Sequence, residues 1–147
     1  MFKGFRLATV VLVLASVSVF AGATKEEAQK MVEGALSFCK THTKKECFAA
    51  IDDPTKFNKG ELFIFAFDYN GVGLANGQIP KLIGKNMFEV KNADGVLVFQ
   101  EQIKTAKSGG GWYEYKWLNP ETKKQATKVS YIKDVDGTFY IGCGIHK

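Results

Sequence analysis

The residues best suited to binding chemistry lie in the segment GGGWYEYKW, residues 109–117. Because side chains alternate between the two faces of a strand, Tyr113, Tyr115 and Trp117 share one face. Three aromatic side chains in a row can wall a pocket, and phenol hydroxyls can orient a ligand in it. The alternative is that these aromatics pack as core beneath a helix predicted at residues 96–107. The pattern alone leaves both interpretations open.

Lys128 and Tyr131 lie on the next predicted strand. An ammonium and phenol hydroxyls beside an aromatic wall suit a small carboxylate, because lysine supplies charge and tyrosine supplies directed hydrogen bonds. These residues therefore support the hypothesis of a pocket for a small organic anion.

Other kinds of chemistry find little support in the sequence. The two histidines, His42 and His146, do not stand in a recognisable arrangement of nucleophile and base. The glycines at 109–111 precede a strand and lack the GxxxxGK(S/T) pattern of a phosphate-binding loop. Cys39, His42 and Cys47 lack a fourth metal ligand. We therefore expect no enzyme activity, no cofactor and no metal site.

The first residues have the pattern of a bacterial signal peptide. Lys3 and Arg6 form a positive n-region, residues 7–20 are an apolar run without a charge, and Ala-Gly-Ala at 21–23 offers a cleavage site. The run is shorter than the roughly 20 residues that span a bilayer, and no second run follows, so we expect no membrane span after cleavage. An uncleaved N-terminal anchor is the alternative. Cleavage would leave a periplasmic chain that begins at Thr24.

The net charge of +5 does not indicate nucleic-acid binding. Lys3 and Arg6 contribute two of these charges, and the remaining lysines are scattered along the chain instead of forming one basic stripe. Residues 24–147 have the length of one domain with one core.

The three cysteines differ in their expected state. Two helices are predicted from capping boxes at Thr24 and Thr43, and the tight bend between them would bring Cys39 and Cys47 together. In an oxidising compartment this pair can form a disulfide. The alternative is three reduced, partly buried thiols. Cys143 is expected to be free and buried on the last strand.

The remainder of the chain predicts strands and one further helix. Residues 61–69 form a strand that is apolar on both faces, with Phe63, Phe65 and Phe67 sharing one of them. Its return strand, the helix and three more strands are predicted, in order, at 72–75, 96–107, 112–118, 126–135 and 138–145. This order predicts an α+β fold with an antiparallel sheet.

Several blocks of the sequence, in order, resemble the single Cache domain of the Cache_2 type. They are FIFAFDYNGVGLANGQIPKLIGKNMFEVKNADG, GGGWYEYKWLNP, TKVSYIK and IGCGIHK, and the resemblance covers residues 24–147. It implies a PAS-like antiparallel sheet of about five strands, with a long N-terminal helix and a helix packed on the sheet. It also implies a sensor module of chemoreceptors and histidine kinases, with a pocket for short organic acids such as acetate, propionate, pyruvate or lactate.

The resemblance also assigns pocket residues. It implies that one cavity is lined by Phe65, Phe67, Tyr115, Trp117, Lys128 and Tyr131. Strand alternation opposes part of this assignment, because Lys128 and Tyr131 are three residues apart and face opposite ways in a regular strand. To keep both, we expect a bulge or twist near residues 129–130.

Two features depart from the family pattern. The chain ends at Lys147 without a transmembrane helix or signalling output, so it resembles the free-standing members. Asn76 also lies where many members carry a nearby histidine. The sequence thus predicts a periplasmic sensing module, with a role in chemotaxis or signal transduction, that binds a small carboxylate and acts with a membrane receptor, kinase or transport partner. The alternative is a structural or interaction protein of the same fold with an occluded pocket.

We predict that the signal peptide is removed after Ala23, because small residues at 21 and 23 meet the requirements of signal peptidase. Mass spectrometry of the periplasmic protein should give a chain that begins at Thr24. A periplasmic chain that begins at Met1 would contradict this.

Overall fold

The structure, a computed structural model, describes residues 22–147. The predicted signal peptide lies outside the described residues, apart from Gly22 and Ala23. The helices are α1 Lys25–Thr41, α2 Lys44–Asp52 and α3 Val98–Lys107. The strands are β1 Asn58–Lys59, β2 Leu62–Phe63, β3 Phe65–Asp68, β4 Gly73–Asn76, β5 Gly111–Leu118, β6 Gln125–Asp134 and β7 Phe139–His146.

The first two helices begin at the predicted capping boxes. The Thr24 hydroxyl accepts a hydrogen bond from the Glu27 backbone N–H, and the Glu27 carboxylate accepts one from the Thr24 N–H. Thr43 and Glu46 repeat the arrangement at α2. Each box satisfies backbone donors that have no partner within the helix, so the sequence marks both starts correctly.

The main sheet has five antiparallel strands in the order β4-β3-β7-β6-β5. The chain turns between β3 and β4 at residues 68–71, where the Asp68 carboxylate accepts hydrogen bonds from the Asn70 and Val72 backbone N–H groups. The last three strands form the predicted meander. The α+β class and the five-stranded antiparallel sheet are therefore confirmed.

The strand predicted at 61–69 is interrupted at Ile64. β2 pairs with β1 in a separate two-stranded ribbon, whereas β3 joins the main sheet between β4 and β7. The Ile64 backbone N–H donates to Phe57, and its carbonyl accepts from Gly77, so this residue belongs to neither ladder. The side-chain alternation continues through the break, and the predicted division into two apolar faces is confirmed.

Each face of the sheet has its own cover. α1 and α2 pack on the face that carries Leu62, Ile64 and Ala66. α3 and the loop that follows β4 cover the face that carries the phenylalanines of β2 and β3. Within residues 22–147, no helix combines the length and hydrophobicity that crossing a membrane requires.

Cys39 and Cys47 form a disulfide that joins α1 to α2, with Cα atoms 4.8 Å apart. Cys143 is a free and buried thiol on β7, facing α1. The bridge connects the two helices that cover one face of the sheet, so it restricts how α2 can move relative to α1.

Replacing both bridged cysteines, as Cys39→Ser with Cys47→Ser, should lower the free energy of unfolding by about 2–3 kcal/mol, because the short loop is no longer closed in the unfolded chain. Urea unfolding with and without reductant measures this, and Cys143→Ala is the control that should keep the reductant effect. Equal alkylation of all three cysteines in the denatured, unreduced protein would refute the bridge.

Candidate functional site

A cavity lies between the sheet and its cover of α3 and the loop after β4. The space open to the centre of a water molecule is about 30 Å³, and the whole space between atoms, including the opening to solvent, is about 340 Å³. Most of its wall is aromatic or aliphatic, formed by Phe63, Phe65, Phe67, Ile79, Leu82, Phe99 and Trp117. Four polar side chains complete the lining: Asn76, Gln102, Tyr115 and Lys128.

The aromatic wall is packed edge to face. The Phe67 ring lies 4.7 Å from the Phe99 ring and 6.0 Å from the Phe65 ring, centroid to centroid. Trp117, on β5, contacts Phe99, with the ring centroids 5.5 Å apart. Such contacts fix the rings in place, so the wall is preformed.

Lys128 reaches the cavity by crossing a neighbouring strand. It pairs with His146 of β7, and its Nζ lies 5.1 Å from the Phe63 ring centroid and 5.8 Å from that of Phe65. The stem passes over Gly144, where a Cβ would be only 2.8 Å from Lys128 Cε. Lys128 can therefore follow this path only because residue 144 of β7 is a glycine.

The Lys128 ammonium is buried without an ionic partner in the part of the chain that the structure describes. The residue is 5 % exposed, and no carboxylate oxygen among residues 22–147 lies within 4.0 Å of its Nζ. Burial lowers the pKa of Lys128 to about 8, and the Glu61 carboxylate opposes this shift only in part. The faces of two phenylalanine rings offer some compensation to the cation.

A hydrogen-bonded group closes the end of the cavity near α3. The Tyr115 hydroxyl lies 2.9 Å from Ser130 Oγ, and the Tyr140 hydroxyl donates to Gln102 Oε1 at 2.9 Å. Burial raises the pKa of Tyr115, so this phenol stays protonated and can donate. The hydrogen bond from Tyr140 orients the amide of Gln102, a residue that is 2 % exposed.

Asn76 forms the edge of the cavity at the end of β4. Its Oδ1 accepts hydrogen bonds from the backbone N–H groups of Gln78, at 3.1 Å, and Ile79, at 2.7 Å. This leaves the amide Nδ2 as a donor, and no acceptor within the described part of the chain bonds to it. The cavity is thus mainly apolar, with a few hydrogen-bond donors that come from different elements.

Five of the six predicted pocket residues line this cavity, but Tyr131 does not. The five are Phe65, Phe67, Tyr115, Trp117 and Lys128. Tyr131 lies on the opposite face of β6, in the core beneath α1, and stacks beside Trp112 at 5.1 Å. The expected bulge near residues 129–130 is absent, because β6 pairs with β5 and β7 in unbroken register there. Placing Tyr131 at the cavity was wrong, and strand alternation is the reason.

The sequence reasoning did not assign six lining residues: Phe63, Asn76, Ile79, Leu82, Phe99 and Gln102. A signal existed for two of them. Phe63 alternates with Phe65 and Phe67, and Gln102 is a polar residue on the inner face of α3, between Phe99 and Ala106. Ile79 and Leu82 come from the loop after β4, which has no periodic pattern.

Groups suited to metal binding or acid–base chemistry are sparse near the cavity. Among the described residues, no three His, Cys, Asp or Glu side chains could hold a metal ion together. His146 lies beside Lys128 and 3.7 Å from Glu61, and burial lowers its pKa. The arrangement is suited to binding a small molecule.

Gly144→Ala should lower the free energy of unfolding by about 1–3 kcal/mol, because the new methyl group overlaps Ser130 Oγ and Lys128 Cε and forces both side chains to move. Gly34→Ala is the matched control, since a Cβ there lies 3.9 Å from its nearest neighbour. Urea unfolding of the two variants measures the difference, and equal stability would contradict the described path of Lys128.

Comparison with known proteins identifies the fold family. The family model of the Cache domain, dCache_2, matches residues 24–147. The sensor histidine kinase MctS of Rhizobium johnstonii is 33 % identical over 103 residues, which are 69 % of this chain. The matched part is 22 % of the length of that kinase.

Solved structures show the same fold. A methyl-accepting chemotaxis protein from Vibrio parahaemolyticus superposes with a TM-score of 0.71 at 21 % identity, over 83 % of this chain and 87 % of that one. A Cache chemosensory domain, solved to explain its recognition of carboxylic acids, gives 0.69 at 23 % identity, over 82 % and 91 %. With the family match over residues 24–147, these similarities establish that the chain belongs to the Cache domain family of ligand-sensing modules.

Proposed function

We propose that this chain binds a short monocarboxylate in the cavity described above and acts as an extracytoplasmic sensing domain. The observation that carries the proposal is the Lys128 ammonium, which is buried in an aromatic cavity and has no anionic partner among the described residues. A buried charge without a partner is costly, and an anionic ligand removes that cost.

The lining supports one carboxylate and no more. Lys128 is the single charged side chain among the described residues that line the cavity. A second carboxylate on the ligand would therefore face aromatic and aliphatic walls. The remaining polar groups, Asn76, Gln102 and Tyr115, can donate hydrogen bonds to a carboxylate oxygen or to a hydroxyl or keto oxygen beside it.

The size and polarity of the cavity support a short ligand. The space open to the centre of a water molecule is about 30 Å³, enough for about two waters, so only a very small ligand enters unless the covering loop moves. A tail of one to a few carbons would rest against Phe65, Phe67 and Trp117. Acetate, propionate, lactate and pyruvate fit this description.

The relatives support a role in sensing. One solved Cache chemosensory domain recognises carboxylic acids, and other relatives are a sensor histidine kinase and a chemotaxis protein. For this chain we propose export by the signal peptide of residues 1–23, a periplasmic location and a membrane receptor, kinase or transport partner that reads the bound state.

Lys128→Met should abolish most of the acid binding while stabilising the protein without ligand. Loss of a charge-assisted hydrogen bond weakens binding by about 1.5–3 kcal/mol. Removal of the buried charge should raise the free energy of unfolding by on the order of 1–3 kcal/mol. Isothermal calorimetry with acetate, propionate, lactate and pyruvate measures the first effect, and urea unfolding without ligand measures the second.

The stabilisation by Lys128→Met should depend on pH. Below pH about 8 the lysine is charged in both the folded and the unfolded wild-type chain, so the cost of burial is complete. The cost fades as pH rises toward the unfolded value of 10.5, and the advantage of the variant fades with it. Lys124→Met, at an exposed position just before β6, is the control and should change neither binding nor stability. Wild-type protein that binds none of the four acids would refute the proposal and favour an occluded pocket.

A further inference from the structure

We propose that Asn76 contacts the bound carboxylate and couples occupancy of the cavity to the loop after β4 and to α2. This inference rests on the proposed carboxylate site. In this proposal one side chain connects the ligand to the loop after β4 and to α2. Among the described residues, neither of these elements contributes another polar side chain to the lining.

The position of Asn76 is fixed by the loop. The residue is 4 % exposed, and its Oδ1 is held by the backbone N–H groups of Gln78 and Ile79. Because a side-chain amide has its oxygen and nitrogen on opposite sides, these two bonds also fix the orientation of Nδ2. Nδ2 is a donor on the cavity wall, and no described residue accepts a hydrogen bond from it.

The loop held by Asn76 is the part that covers the cavity. Ile79, which precedes the short 3-10 helix Pro80–Leu82, and Leu82, its last residue, line the cavity from this loop. Farther along, the loop is bonded to β4 at Gly73, whose carbonyl accepts from Gly84 at 2.8 Å. The cover is therefore attached at several points, among them the Gln78 side chain, which donates to Asn58 and Gly60, and Asn76 is the attachment that also lines the cavity.

The backbone of the same residue is bonded to α2. The Asn76 N–H donates to Asp52 Oδ1 at 2.8 Å, and Asp52 is the last residue of α2. α2 is in turn joined to α1 by the disulfide between Cys39 and Cys47. A change in the position or mobility of Asn76 is thus passed to the helices on the other face of the sheet.

A carboxylate can join two donors of the cavity that have no acceptor among the described residues, Lys128 Nζ and Asn76 Nδ2. Lys128 Nζ lies over Phe63 and Phe65, and Asn76 pairs with Phe65 in the register of β3 and β4. One carboxylate oxygen can accept from the ammonium and the other from the amide N–H. Binding then adds a restraint to Asn76, and through its other bonds to the loop and to α2.

Asn76→Asp separates the ligand contact from the attachment of the loop. The aspartate oxygen still accepts from Gln78 and Ile79, but the N–H donor is lost and a negative charge faces the ligand. The matched control is Asn119→Asp, because Asn119 Oδ1 likewise accepts from two backbone N–H groups, those of Glu121 and Thr122, outside the cavity. Calorimetry with acetate and propionate should show affinity at least about tenfold lower for Asn76→Asp, a loss of about 1.4 kcal/mol, and no change for Asn119→Asp.

Asp52→Ala tests the connection to α2. In the wild type, either acid should slow amide hydrogen exchange in peptides that cover residues 77–83 and 44–53. In Asp52→Ala the affinity should stay within about twofold and the protection of 77–83 should remain, while the protection of 44–53 is lost. A purely structural role of Asp52 would leave the response of 44–53 to ligand in place.

The outcomes separate this inference from the proposed function. Wild-type protein that binds neither acid overturns the carboxylate site and the coupling together. Wild-type binding with undiminished affinity in Asn76→Asp overturns only the role of Asn76 as a contact. Binding that leaves exchange in 44–53 unchanged in the wild type overturns the coupling to α2.

Discussion

Much of this structure depends on the position of one ammonium, that of Lys128, in an aromatic cavity. Lys128 extends from β6 over β7, and its Nζ lies above the rings of Phe63 and Phe65. That path exists because Gly144 leaves the surface of β7 bare beneath the lysine stem. Burial disfavours the charged form, so the free energy of the folded chain includes a cost that an anionic ligand can remove.

The rest of the fold supplies the rigidity that this arrangement needs. One face of the sheet is a conventional core, in which α1 and α2 cover the aliphatic side chains and the disulfide joins the two helices. The other face carries the aromatic wall and the polar groups of the cavity. Asn76 bonds to elements on both sides, through its side chain to the loop and through its backbone to α2.

Local rules predict the sheet and most of the cavity from the sequence. Capping boxes mark α1 and α2, and side-chain alternation separates the phenylalanines of β2 and β3 from the aliphatic residues between them. Side-chain alternation also predicts the correct face of β6 for Tyr131, whereas the family resemblance places this residue on the wrong face. The break at Ile64 and the contribution of Ile79 and Leu82 could not be predicted, because both depend on packing between segments far apart in the chain. The need for a glycine at residue 144 likewise cannot be predicted, because it arises only when β6 and β7 are paired.

The charge state of Lys128 tests the account most directly. Nitrogen-15 NMR of the lysine side chains, with Lys128→Met to identify the signal, gives the pKa of this ammonium in the free protein and at saturating acetate or propionate. We expect a pKa of about 8 for Lys128 in the free protein, and a clear rise when the acid is bound, because the carboxylate stabilises the charged form. A pKa near the ordinary 10.5 that does not respond to either acid would contradict it.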